Sequence, residues 1–142
     1  MKTVQQILNA KPVQLYSVIP TTSVLEALKI MTEKNISALL IMENEQLLGI
    51  FTERDYARKI ILHGKSSKDT PISDAMTVTP ITVGPADSID TCMQIMTDQH
   101  IRHLPVMVDK QTLGMVSIGD VVKFIIADQK QTISQLESYI NS

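Results

Sequence analysis

Apolar positions along the chain change period in a fixed order, and then the same order returns. After Ser23, the residues Val24, Ala27, Leu28 and Met31 fall three and four apart, the spacing of one helix face, and Ser23 is placed to cap it. Ala38–Met42 is an unbroken apolar run of strand length, Glu43–Gln46 is a polar turn, and Leu47–Phe51 reads as a second strand. Thr52 then opens a second helix that reaches about Leu62. From Ser88 onward the pattern restarts, with Ile89, Cys92, Met93 and Met96 on a helix face, a strand at Leu104–Val108 and a turn at Asp109–Thr112. A strand at Leu113–Val116 and a helix opened by Ser117 complete it. Short extended lead-ins are predicted at Val13–Val18 and Pro80–Val83.

A shift of 65 positions lays Val18–Ile61 on Val83–Ile126 without a gap, and 15 of the 44 pairs are identical. The identities include Pro20 with Pro85, Ser23 with Ser88, Gly49 with Gly114 and Asp55 with Asp120. Two copies are too few for a solenoid, so a closed pseudo-symmetric pair is expected. Neither copy is large enough to bury much alone, which calls for face-to-face packing of the two through their sheets. The expected organisation is an α+β or α/β fold with copy one over residues 4–65, copy two over 70–127 and a helical tail over 128–142. His63–Pro71 joins the copies, with Gly64 as a helix stop. In the tail, Ile133, Leu136 and Ile140 make a narrow apolar stripe, expected either to fold back on its own domain or to meet a second copy.

Charge and composition narrow the partners. Lys and Arg number 13 against 15 Asp and Glu, so there is no basic excess to neutralise a nucleic-acid backbone. The single Cys excludes an internal disulfide framework and a Cys-rich zinc site. Trp is absent while Met numbers 8, and Met31, Met93, Met96, Met107 and Met115 follow core periodicity, so the core is aliphatic and sulfur-rich. The opening MKTVQQILNAKPVQ lacks the apolar stretch of a signal peptide, and no apolar run approaches ~20 residues. The expectation is a soluble cytoplasmic protein without a membrane partner.

Candidate chemistry sits at the strand-to-helix turns. Gly49-Ile50-Phe51-Thr52-Glu53-Arg54-Asp55 and Gly114-Met115-Val116-Ser117-Ile118-Gly119-Asp120 share one pattern, a glycine, two apolar residues, a hydroxyl and an Asp three positions later. Taken alone, it is a helix capping box. The same geometry offers a hydroxyl and helix N-terminal N–H groups to a phosphate, and an Asp one turn on to the vicinal hydroxyls of a ribose. Gly49 and Gly114 are expected to clear space where a ligand approaches the strand.

These markers resemble those of cystathionine-β-synthase (CBS) domains, paired as a Bateman module. The resemblance covers about Val4 to Ala127. It rests on the Pro-x-x-Ser helix starts, the Ile101-Arg102-His103-Leu104-Pro105-Val106 strand and the two turns; Leu40 stands where copy two has Pro105. The resemblance implies two clefts between the copies for adenosine-type ligands such as AMP, ADP, ATP, NAD or S-adenosylmethionine, and no catalytic cofactor. It implies that Asp120 holds a ribose and Ser117, beside Gly119, the phosphate side. Ile36, Ala38, Tyr16 and Val18 then flank the adenine, and Arg102 and His103 reach phosphate. In the second cleft Asp55 and Thr52 take the same parts, with Ile101, His103 and Val83 as adenine walls. Its phosphate positions, Ser37 and Ala38, carry no charge, which leaves Arg54, Arg58 or Lys59 to compensate. The Asp120 cleft is therefore expected to be the tighter. Family members dimerise, so a homodimer is implied.

Other residues carry plainer expectations. His100 and His103 form an H-x-x-H without further ligands, so structural or phosphate-facing roles outweigh metal binding, and Cys92 aligns with Ala27 on an apolar helix face, as a buried small residue rather than a nucleophile. No nucleophile–base arrangement or phosphate-binding glycine loop is present, which disfavours an enzyme. The leading expectation is a regulatory module that senses adenine nucleotides and acts on an unidentified protein. A ligand-free dimerisation scaffold is the alternative.

Overall fold

A computed structural model describes residues 2–11 and 15–141. Helix α1 (Val4–Ala10) is followed by the short strand β1 (Ser17–Val18), helix α2 (Val24–Lys34), and strands β2 (Ala38–Glu43) and β3 (Gln46–Thr52). Of the first predicted lead-in, Val13 and Gln14 lie outside the described residues, and its end forms β1. A single α-turn, α3 (Glu53–Asp55), widens into a π-helical stretch at Tyr56–Ile61. After a 3-10 turn at Ile72–Asp74 and strand β4 (Thr77–Val78) come α4 (Ile89–Gln99), β5 (His103–Val108), β6 (Gln111–Ser117) and α5 (Ile118–Ile140).

The serine caps act as the pattern predicts. Ser23 Oγ accepts from the Glu26 N–H at 3.1 Å and Ser88 Oγ from the Thr91 N–H at 3.0 Å, each worth about 1 kcal/mol to its helix. Both helices stop in the left-handed region, α2 at Asn35 (φ 54°) and α4 at His100 (φ 54°). The hairpins match across the repeat: β2 pairs antiparallel with β3, β5 with β6, and each shows a register shift, between Ile41 and Met42 and between Val106 and Met107. In the β2–β3 turn both Asn44 and Glu45 have positive φ, which suits the right-handed twist of a tight hairpin.

β1 adds parallel to β2 and β4 antiparallel to β3, giving a four-stranded sheet, whereas β5 and β6 make a two-stranded one. The second predicted lead-in reduces to one parallel bridge, Val83 with Val106.

The cores do not follow the sequence boundary of the copies. Val4, Ile7 and Leu8 of α1 are buried with Val83, Ile89, Leu104, Val106 and Val116, in the core of copy two. Ile72 and Ala75 are buried with Val24, Leu39, Ile41 and Phe51, in the core of copy one. Backbone bonds seal both crossings: the Val4 N–H donates to Asp87 O and Ile89 N–H to Lys2 O, while Ile72 N–H donates to Thr22 O and Val24 N–H to Thr70 O. Each leading segment thus completes the other copy. Between the halves a third apolar cluster joins Ala38, Leu40 and Ile50 to Met42, Leu47 and Met115, so the copies meet through their sheets.

The tail is not a separate element. α5 runs unbroken from the Ser117 cap, about 35 Å along its axis, and does not fold back. Ile133, Leu136 and Ile140 are 55%, 58% and 77% exposed.

Candidate functional site

Both strand-to-helix turns are full capping boxes. In copy two the Asp120 N–H donates to Ser117 Oγ at 3.1 Å and the Ser117 N–H to Asp120 Oδ2 at 2.9 Å. In copy one Asp55 N–H donates to Thr52 Oγ1 at 3.2 Å and Thr52 N–H to Asp55 Oδ2 at 3.0 Å. The first helical N–H of each helix is also used: Ile118 donates to Arg102 O and Glu53 to Ser37 O. What distinguishes the two turns is the surroundings of the carboxylates.

Asp120 faces a cavity of about 310 Å³ between the copies. Its wall brings together Tyr16, Ile36, Ala38, His103, Ser117 and Asp120, all of them expected ligand contacts, with Leu40 and Met115 as further apolar surface. Copy one therefore supplies much of the apolar wall and copy two the carboxylate and hydroxyl. Ser37 Oγ and His103 Nε2 are 2.9 Å apart and tie the copies across the cavity. Burial holds the His103 imidazole below its ordinary pKa; Asp120 opposes this, while Arg102 and Lys11 add to it. Lys11, which carries no signal in the repeat, enters the same cavity. Its Nζ donates to Asp120 Oδ2 at 2.7 Å and to Met115 O at 2.5 Å. Burial pushes the Asp120 carboxyl up, but the Lys11 and Ser117 hydrogen bonds and the Lys11 charge outweigh it, so the net shift is downward.

Asp55 is engaged by side chains of its own half. Its Oδ1 accepts from Thr77 Oγ1 at 3.0 Å and pairs with Lys59 Nζ at 3.3 Å, and only 13% of its side chain is exposed. Lys59 Nζ also donates to Met76 O at 3.1 Å, so the segment at β4 closes over this turn.

Several expected site residues take other places. Val18 is buried in the core of copy one and Val83 in that of copy two, so neither presents a wall to a ligand. Ile101 packs against the copy-two core. Arg102 has its residue exposed and uses its carbonyl on Ile118; Gly119 is exposed on the first turn of α5; neither lines the cavity. Arg54 reaches across to the other copy and donates to His100 O, the carbonyl at the end of α4, where a cation suits the helix dipole. The glycines serve packing rather than ligand approach. A Cβ on Gly49 would lie 2.7 Å from Thr77 O and 2.8 Å from Met76 Sδ, and one on Gly114 would lie 3.2 Å from Leu8 Cδ2. Cys92 is fully buried, and burial, with Asp87 nearby, pushes its thiol pKa up.

A duplicated helix–strand–strand–helix unit with a cleft at the strand-to-helix turn defines a tandem-domain architecture. The CBS domain model matches residues 4–62 and 72–127, and the chain belongs to that family. It is 46% identical over 123 residues to the CBS domain-containing protein CBSX3, mitochondrial, of Arabidopsis thaliana, covering 83% of this chain and 60% of that protein. Among solved structures it is similar to a protein with CBS domains from Burkholderia ambifaria MC40-6, at 46% identity and a TM-score of 0.87, covering 90% of this chain and 96% of that one. CBSX2, solved in complex with AMP, shares the fold at 22% identity and a TM-score of 0.76, covering 91% of this chain and 99% of that one. Among the described residues, no helix is long and apolar enough to cross a membrane.

Proposed function

We propose that this chain is a regulatory module that binds one adenosine-type nucleotide in the Asp120 cavity and passes its occupancy to a partner protein. The observation that carries this reading is a cavity walled by both copies, apolar on one side and ending in a capped carboxylate on the other. Such a site suits a base among Ile36, Ala38 and Tyr16 and a ribose diol on Asp120, with Ser117 and His103 toward the phosphate. At about 310 Å³ it falls within the range of ligand pockets, and the ligand class is AMP, ADP, ATP or NAD. That the fold can hold AMP in CBSX2 supports the ligand class.

A ligand touching both copies binds their joined arrangement better than a loosened one, and only that difference gives it regulatory force. The reading includes a homodimer. Val122, Ile126, Ile133, Leu136 and Ile140 follow a heptad-like spacing along exposed α5, a seam suited to a second α5. It also places the protein in the cytoplasm, where a lone thiol such as Cys92 stays reduced.

Thermal unfolding and calorimetry with AMP, ADP, ATP and NAD test the proposal. A ligand at 100 times its Kd raises stability by about 2.7 kcal/mol. Absence of any shift with all four would falsify it and leave the ligand-free scaffold.

A further inference from the structure

We propose that Lys11 is the specificity-determining residue of the Asp120 cavity: its ammonium leaves the carboxylate for the ligand's phosphate, so the site selects phosphorylated nucleotides over bare nucleosides. The inference rests on the nucleotide reading above and assigns it a selectivity mechanism.

Three observations carry it. Among the described residues lining the cavity, Lys11 is the one lysine or arginine and Asp120 the one carboxylate. Arg102, the cation expected to serve phosphate, is not on the wall. Finally, Asp120 Oδ2 already accepts two bonds, from the Ser117 N–H at 2.9 Å and from Lys11 Nζ at 2.7 Å.

A vicinal diol that engages both oxygens of Asp120 competes with Lys11 for Oδ2. An ammonium has three donors on a flexible stem, so Lys11 can keep Met115 O, now at 2.5 Å, and turn the freed proton elsewhere. With a nucleoside, that proton has no anionic acceptor and the exchange is a net loss. With a 5′-phosphate, the ammonium trades one anion for another of higher charge. Lys11 directly follows α1, which is anchored in the copy-two core, so its pivot is fixed close to the cavity.

The test is calorimetric titration of the full chain with AMP and with adenosine, for wild type, Lys11→Met and Lys11→Arg. A charge-assisted hydrogen bond is worth about 1.5–3 kcal/mol, so Lys11→Met is expected to weaken AMP by about 10- to 100-fold. Adenosine is expected to bind the same variant as well as or better than wild type, because its competitor for Asp120 is gone. Lys11→Arg keeps the charge and is expected to restore most of the preference for AMP. An equal change for both ligands, or unchanged AMP binding in Lys11→Met, overturns the role of Lys11 while leaving the nucleotide site standing. Wild type that binds neither compound overturns both.

Discussion

The ammonium of Lys11 lies 2.7 Å from the carboxylate of Asp120, although 109 residues separate them in the chain. The pair joins the end of α1 to the first turn of α5 inside the cavity that the two copies share. The corresponding carboxylate of copy one, Asp55, is held by residues nearer in the chain, Thr52, Thr77 and Lys59. Identical turn motifs are thus used unequally, and most of the measurable consequences follow from that inequality.

Nucleotide binding should separate the two aspartates. Asp120→Ala is expected to weaken AMP at least tenfold, and Asp55→Ala is expected to leave its affinity within about threefold, with one ligand per chain. Calorimetric stoichiometry and affinity on both variants check this, and the reverse ranking would reassign the site to the closed turn.

Acidification should act in two separate windows. The pKa of folded His103 is lowered, so the unfolded chain takes up its proton first, and stability falls as the pH drops below about 6.5. The pKa of folded Asp120 is lowered too; its contribution is present above about pH 4 and disappears below it. Urea unfolding from pH 8 to 3 should show His103→Gln flattening the upper window and Asp120→Asn the lower one. Partial exposure of the Lys11–Asp120 pair limits the second effect to about 1 kcal/mol.

Gly49→Ala and Gly114→Ala should differ although the residues are matched in the repeat. At Gly49 the added methyl meets a backbone carbonyl at 2.7 Å, which displaces β4 and is expected to cost about 1–3 kcal/mol. At Gly114 it meets the end of the Leu8 side chain at 3.2 Å, and a loss below about 1 kcal/mol is expected. Chemical denaturation of the two variants decides, and equal losses would contradict the packing role of Gly49.

Much of this was legible because local chemistry governs it. Ser23 and Ser88 announce their helices, and the apolar runs before and after Asn44-Glu45 and Asp109-Lys110 announce their hairpins. The cavity wall at Ile36, Ala38, His103 and Asp120 followed from the family resemblance. Lys11 was hidden because it precedes the matched stretch and finds its partner only through the crossing of α1 onto copy two. That crossing puts Leu8 against Gly114, and the opposite crossing, of the copy-two lead-in onto copy one, puts Met76 and Thr77 against Gly49, so both glycines become packing sites. Strand β4 is two residues long and too short to show alternation. The unbroken run of α5 had a signal that composition obscured: Asp128–Gln131 is polar like a linker but contains neither glycine nor proline to end a helix.

Removal of residues 129–142 should therefore leave both cores intact, since none of their buried residues lies beyond Val121. The expected result is an unchanged unfolding midpoint of each monomer with a shift from dimer to monomer in sedimentation. A truncated chain that remains dimeric would move the interface away from α5.

The exchange of leading segments has a consequence for how such a chain could arise. A solitary copy, cut from this protein, would carry a lead-in built to fill someone else's core and would lack the one that fills its own. It would meet that need by trading segments with a twin, as a swapped pair whose population rises and falls with concentration. Fusing two copies end to end makes the trade internal, so assembly no longer depends on dilution, and lets the two halves diverge, one turn sealed and the other left open.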